Sequence, residues 1–225
     1  MAYAEPLVEK NAMKLQVALD GPIDHSLAIL QVIHPYIDIA EIGTPLIYRE
    51  GIGAALRVRQ AFPDLTLLAD LKIMDAGEDE AIIAFTAGCD IVTVLGLAAD
   101  VTVRGVLAAA QDFSRQMMVD MIQVPDLEVR SRELLEMGCH LLCVHTAYDL
   151  QTDDSTPLDD LRCLRRSLPG APFAVAGGIG MNTIDEVVKL APKVVVVGAA
   201  ITGASDPAQV AQAIRRRINS NGAIS

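Results

Sequence analysis

The octapeptide Leu68-Ala69-Asp70-Leu71-Lys72-Ile73-Met74-Asp75 sets two carboxylates around an ammonium at the end of an apolar segment, with the spacing Asp-x-Lys-x-x-Asp. Alternation along an extended chain puts Asp70 and Lys72 on one side, and Asp75 then falls in the loop that follows. A lysine between two acids stays protonated, and an Asp close to a second acid can ligate a divalent cation. Such a trio can stabilise negative charge that builds on an oxygen, so the pattern points to an enzyme.

Groups like these need a scaffold, and the apolar pattern supplies one. Short apolar runs predict strands over residues 14–19, 37–42, 65–70, 91–95, 117–121, 141–145, 173–176 and 194–197. Amphipathic stretches between them predict helices over 26–34, 51–61, 78–87, 101–113, 127–137, 158–167, 183–190 and 207–219. Asp206 before Pro207 reads as a helix N-cap, and Gly88 and Gly138 fall just past helix ends, where positive φ is wanted. The polar stretch 152–160 is the longest interruption, and no linker divides the chain. An open doubly wound sheet could hold eight strands, but it needs a switch point and usually two halves. The even rhythm favours a single-domain (β/α)8 TIM barrel over residues 14–219, with residues 1–13 as an N-terminal extension and 220–225 as a tail.

Barrels of this kind carry their catalytic groups at the C-terminal ends of the strands. The expected strands close on Asp20, Glu41, Asp70, Leu95-Gly96, Asp120, His145, Gly177-Gly178 and Gly198. Five of the eight positions are ionisable in otherwise apolar strands, and chance would not gather them at one rim. Glu41 and Asp70 end neighbouring strands, so their carboxylates can converge on one hard cation such as Mg2+. Lys72, within reach of Asp20 and Asp70, is expected to hydrogen-bond and stabilise an oxyanion rather than form a Schiff base. An imidazole titrates near neutrality, so His145 suits proton transfer or polarising a carbonyl. His25, His34 and His140 fall at helix or strand-entry positions and look structural. The glycine turns Ala176-Gly177-Gly178-Ile179 and Val197-Gly198-Ala199-Ala200 follow the seventh and eighth strands, where barrels often bind phosphate through backbone N–H groups. Neither matches a nucleotide-binding glycine pattern.

Composition narrows the class. The chain has 225 residues, 52% hydrophobic and 21% charged, with no Trp, as buried parallel strands flanked by helices would give. A net charge of −11 and the lack of a basic stripe argue against nucleic acid. The Arg165-Arg166 and Arg215-Arg216-Arg217 clusters are expected in the last turns of helices, offsetting the dipole. Cys89, Cys139, Cys143 and Cys163 form no Cys-x-x-Cys pair and are expected as buried thiols in a reducing compartment. The first twelve residues lack the apolar core of a signal peptide, and no run is long enough to span a membrane. A cytoplasmic location without membrane contact is the expectation.

The motif Asp70-x-Lys72-x-x-Asp75, with Asp20 ending the first strand, resembles the orotidine 5′-monophosphate decarboxylase suprafamily. Within it, Leu15 through Asp20, Glu41-Ile42-Gly43-Thr44-Pro45, Leu68 through Gly77, Val119-Asp120-Met121-Ile122, His145 through Gln151 and Ala176 through Ile179 are similar to the 3-hexulose-6-phosphate synthase family. The resemblance runs from about Lys14 to the last helix. It implies a Mg2+-dependent aldol condensation of formaldehyde with D-ribulose 5-phosphate through a 1,2-enediolate, giving D-arabino-3-hexulose 6-phosphate. It also implies that Glu41 and Asp70 ligate the metal, that Lys72 stabilises the enediolate, and that Asp120 and the two glycine turns contact substrate. His145 is the expected principal proton carrier, although Asp70 or another rim acid could take the first proton. Homodimers are implied as well, with Asp75 reaching the partner's site.

The nearest alternative is 3-keto-L-gulonate-6-phosphate decarboxylase, which is expected to carry Glu at Asp120 and Arg at Tyr148 and Ala199. Ala147, where the synthases have Gly, and the Ala199-Ala200 turn depart from the synthase pattern. A barrel that binds a sugar phosphate without catalysis is the reading from a different class, and the acid–lysine–acid–histidine set weighs against it.

Overall fold

Ile39–Ile42, Phe173–Ala176 and Val194–Val197 are buried at every position, as strands covered on both faces must be. The structure, a computed structural model, describes residues 13–151 and 156–221. The expected N-terminal extension apart from Met13, residues 152–155 of the polar stretch and residues 222–225 of the tail lie outside the described residues.

Eight parallel strands close into a barrel in sequence order: β1 Lys14–Leu19, β2 Ile39–Ile42, β3 Thr66–Ile73, β4 Ile91–Leu95, β5 Gln116–Asp120, β6 Leu141–His145, β7 Phe173–Ala176 and β8 Val194–Val197. The ring is sealed where β1 pairs with β8, Lys14 opposite Val194. Helices cover it: α1 Ile23–Ile33, α2 Thr44–Glu50, α3 Gly53–Ala61, α4 Gly77–Thr86, α5 Asp100–Asp112, α6 Leu127–Glu136, α7 Leu158–Ser167, α8 Ile184–Lys189, α9 Ala199–Thr202 and α10 Pro207–Asn221. The (β/α)8 reading therefore holds.

Two apolar cores follow from the two-residue period of a strand. One lies between strands and helices and includes Leu15, Val17, Leu67, Ala69, Val92 and Val119. The other fills the lumen, with Ile39, Leu68, Ile91 and Met118 among its members. Two residues further along the same four strands stand Glu41, Asp70, Thr93 and Asp120, all buried. A polar tier thus sits directly above an apolar floor, toward the C-terminal ends of the strands.

Local signals behave as the residues dictate. Asp126 and Asp206 accept the backbone N–H of Val129 (3.0 Å) and Gln209 (2.9 Å), three residues on. Gly88 and Gly138 both take φ near +92°. Three expectations need correction. The helix expected over 51–61 is α3, but a helix not expected from the sequence, α2, precedes it and ends at Gly51, φ +67°. Arg215 and Arg217 do not lie in a last helical turn: α10 runs on to Asn221, and they bind Asp38 and Asp185 of neighbouring units. Of the four cysteines, all free thiols, Cys163 is exposed, since its place on α7 faces away from the core.

Candidate active site

The polar tier is tied into one network by Lys72. Its Nζ donates to Asp70 Oδ1 (3.0 Å) and Oδ2 (2.8 Å) and to Asp120 Oδ2 (2.9 Å). Those bonds account for the three N–H groups of an ammonium. Burial works against its charge, but the Asp70 and Asp120 carboxylates outweigh that and raise its pKa above the ordinary value.

Simple alternation does not produce this geometry. The expected strand end at Asp70 is too early, because β3 continues to Ile73 through a bulge. Lys72 itself is left-handed, at φ +49°. An L-residue there costs about 1–2 kcal/mol, so the surroundings must hold it. Its backbone N–H donates to Thr93 Oγ1 at 2.9 Å.

Asp70 is held from three sides. Besides Lys72, it accepts from the Thr93 hydroxyl at Oδ1 (2.9 Å), and the Thr44 hydroxyl lies 2.8 Å from Oδ2 and 2.7 Å from its carbonyl. Asp120, nearly sequestered at 4% side-chain exposure, is the hub of the network. It accepts from Lys72, from the backbone N–H of Ile122 (3.0 Å) and from His145 Nδ1, 3.0 Å from both carboxylate oxygens. Burial opposes its ionisation, yet the His145 hydrogen bond and charge and the Lys72 ammonium prevail, bringing its pKa down to about 2. With Asp120 ionised, His145 Nδ1 is the hydrogen-bearing nitrogen. In the neutral ring, Nε2 then carries a free lone pair that can take a proton.

Glu41 enters the tier from β2, its Oε2 accepting from Gln16 Nε2 at 2.6 Å. Burial, and then the charge of Asp70, push its carboxyl up to about 8, against the Gln16 hydrogen bond and Lys72. Asp20 follows β1 with its carboxylate over Gly43, where a Cβ would lie 2.1 Å from Oδ1. Desolvation and the charge of Asp70 raise its pKa, against Lys72 and Arg49.

Among the described residues no group of three or more His, Cys, Asp or Glu is placed to hold a metal ion. Mg2+, however, commonly takes only one or two protein carboxylates, completing its shell with water and substrate oxygens. Glu41 and Asp70 fit that requirement: both are hard oxygen donors, and their mutual repulsion is what a bound cation relieves. Two hydroxyls and Lys72 already occupy Asp70, so a cation there competes with Lys72 for its oxygens.

The turns after β7 and β8 lie side by side. Gly177 (φ +95°) approaches the residue after β6 so closely that a Cβ would stand 2.2 Å from the Thr146 carbonyl oxygen. Gly178 follows at φ +69°. A Cβ on Gly180 would stand 3.1 Å from the Ala200 methyl, so the missing side chain there makes room for the second alanine of the Gly198-Ala199-Ala200 turn. Ala199 opens the short helix α9, which sequence periodicity did not reveal. Ala147 sits in extended backbone at φ −54°, ψ 142°, where its methyl is accommodated.

Asp75 stands apart from the network within this chain. It is exposed, and its Oδ1 accepts the N–H of Ala76 (2.8 Å). Of the histidines expected to be structural, His34 Nδ1 lies 3.2 Å from the Leu30 carbonyl, and His140 Nδ1 accepts from the backbone N–H of Met117 at 3.3 Å. The residues that sequence reasoning missed are Gln16, Thr44 and Thr93. Gln16 and Thr93 are polar residues inside apolar strands, a signal that was present.

The orotidine 5'-phosphate decarboxylase / HUMPS family profile matches residues 13–214. A 3-hexulose-6-phosphate synthase of Bacillus subtilis is 41% identical over 92% of this chain and 99% of its own length. The crystal structure of 3-hexulose-6-phosphate synthase from Salmonella typhimurium superposes with a TM-score of 0.90 at 40% identity, covering 93% of this chain and all of the other. A 3-keto-L-gulonate-6-phosphate decarboxylase from Vibrio cholerae has a TM-score of 0.80 at 26% identity, over 93% of this chain and 98% of its own. With the barrel complete and the match spanning nearly all of it, the chain belongs to the orotidine 5'-phosphate decarboxylase / HUMPS family.

Proposed function

We propose that this chain is a 3-hexulose-6-phosphate synthase, an aldehyde-lyase that joins formaldehyde to D-ribulose 5-phosphate. The unbroken relay His145–Asp120–Lys72–Asp70 at the mouth of the barrel carries the reading. Identity above 40% to a named synthase along almost the full chain supports the same choice. The decarboxylase relative is at 26% identity.

In this reading His145 Nε2 takes a proton from C1 of the ketose phosphate, and Asp120 holds the imidazole in the tautomer that allows it. The electron pair left behind delocalises over C1, C2 and the carbonyl oxygen as a 1,2-enediolate. Lys72 meets that oxygen by giving up one of its two bonds to Asp70, while its bond to Asp120 keeps it in place. C1 then attacks the formaldehyde carbon, forming the new C–C bond, and the resulting alkoxide takes a proton back from the imidazolium. Glu41 and Asp70 would hold Mg2+, whose charge polarises the ketose oxygens. Backbone N–H groups of the Gly177-Gly178 and Gly198-Ala199 turns take the phosphate, so an acidic protein needs no basic surface to bind its substrate. A homodimer, with Asp75 directed to the partner's site, and a cytoplasmic location complete the proposal. Among the described residues no helix is long and apolar enough to cross a membrane.

The test is direct. Purified protein with Mg2+, D-ribulose 5-phosphate and formaldehyde should consume formaldehyde, and a chelator should stop it. Carbon dioxide release from 3-keto-L-gulonate 6-phosphate without formaldehyde consumption would replace this reading with the decarboxylase. Inactivity on both substrates would leave a sugar-phosphate-binding barrel.

A further inference from the structure

We propose that Thr93 is a positioning residue for Lys72, the side chain that keeps the ammonium aimed into the mouth. The ladder between β3 and β4 pairs Ala69 with Val92 and next pairs Ile73 with Val94. Asp70, Leu71 and Lys72 therefore face Thr93 alone, and one-to-one strand pairing is interrupted there. The Lys72 N–H falls within this interruption, and a buried N–H without a partner would cost about 1–3 kcal/mol. The Thr93 hydroxyl accepts it instead, at 2.9 Å.

A hydroxyl has one proton to give, and that of Thr93 goes to Asp70 Oδ1, also at 2.9 Å. One oxygen thus fixes both the backbone of Lys72 and the carboxylate that Lys72 binds. The left-handed backbone at Lys72 is not one that lysine adopts unaided. Released from this tie, the segment relaxes toward ordinary extended geometry and carries the ammonium off its line to Asp120. Thr93 is only 3% exposed and its hydroxyl is engaged by Lys72 and Asp70, so it acts through Lys72 and not on substrate. Threonine suits both demands, a β-branched residue for the strand and a hydroxyl for the tie.

The kinetic half of this inference rests on the proposed synthase reaction, and the geometric half does not. The experiment compares Thr93→Val, which keeps the shape without the hydroxyl, with Thr93→Ser, which keeps the hydroxyl. Thr93→Ala serves as a second hydroxyl-free variant should the valine protein fold poorly. The readouts are melting temperature, hydrogen exchange of the Lys72 amide, the 15N resonance of the Lys72 ammonium, and turnover with D-ribulose 5-phosphate and formaldehyde. In Thr93→Val the amide should exchange faster and the ammonium resonance should move. Turnover should fall about 100-fold with little change in KM, the scale of an ångström's misplacement, and Thr93→Ser should restore all three. An unmoved ammonium resonance in both hydroxyl-free variants overturns the proposal. So does an equal loss of turnover in Val and Ser that follows only the melting temperature. A moved resonance in a protein whose wild type consumes no formaldehyde upholds the positioning role and removes the synthase reading instead.

Discussion

His145 Nδ1 lies 3.0 Å from each carboxylate oxygen of Asp120, a residue twenty-five positions earlier in the chain, at the end of the preceding strand. An acceptor that remains ionised down to about pH 2 can only receive a hydrogen from the imidazole, so it fixes which nitrogen is free to act as base. Asp120→Asn keeps the shape but can turn an N–H toward Nδ1 and reverse that assignment. Turnover should drop by about three or more orders of magnitude, as when an orienting carboxylate is neutralised in a serine protease triad. The melting temperature should change far less. Steady-state kinetics beside thermal melts decide it, and a loss under tenfold would remove His145 from the role of base.

Lys72→Ala tests the other arm. Removing a donor that meets a developing oxyanion lowers turnover by about 100- to 1000-fold. The fold should persist, because Lys72 lies in the polar tier and not in either apolar core. Circular dichroism confirms the barrel while the formaldehyde assay measures the loss. Near-normal turnover would contradict the assigned role.

Much of this architecture is legible in the chain because parallel strands buried on both faces leave uninterrupted apolar runs, and Gly88 and Gly138 punctuate the helices between them. Asp70, Lys72 and His145 stand out for the same reason, as ionisable groups at the ends of such runs. What the pattern hides is convergence across the ring. Asp120 reads as one more strand-end acid, whereas its partners Lys72 and His145 come from other strands, forty-eight and twenty-five positions away. The bulge in β3 is invisible too, since Leu71 and Ile73 continue the apolar rhythm that a plain strand would show. Thr93 could have been found by counting: it stands two residues beyond Ile91, in the phase that puts Glu41, Asp70 and Asp120 into the same tier. The arginines of α10 escape the pattern because charge at a helix end and charge reaching a neighbouring unit look alike in one dimension.

Glu41 gives the protein a pH dependence whose sign can be worked out. Burial and the charge of Asp70 place its folded-state pKa at about 8, above the ordinary 4.5. The folded protein therefore keeps a proton that the unfolded chain releases, and its stability falls as pH rises from about 4.5 through 8. A cation bound by Glu41 and Asp70 competes with that proton. Mg2+ should raise the melting temperature more at pH 8 than at pH 5, and Glu41→Gln should flatten both the pH profile and the Mg2+ effect. Thermal melts across this range, in chelator and in Mg2+, provide the check. A profile unchanged by the substitution would mean that Glu41 is not the group responsible.

Asp75 bears on the proposed dimer, because among the described residues its carboxylate hydrogen-bonds only the N–H of Ala76 and leaves the relay to others. If it serves the site of a second copy, each site needs Lys72 from one chain and Asp75 from the other. Lys72→Ala and Asp75→Ala homodimers should then both be nearly inactive. When the two proteins are unfolded together and refolded as a mixture, half the dimers should be mixed. Each mixed dimer holds one site with both substitutions and one with neither, so activity should return to about a quarter of wild type, as a two-fold assembly requires. Were both residues supplied by the same chain, every site in every dimer would still lack one of them, and the mixture would stay inactive. Formaldehyde consumption after refolding, set beside the oligomeric state from sedimentation, separates a shared site from a self-contained one.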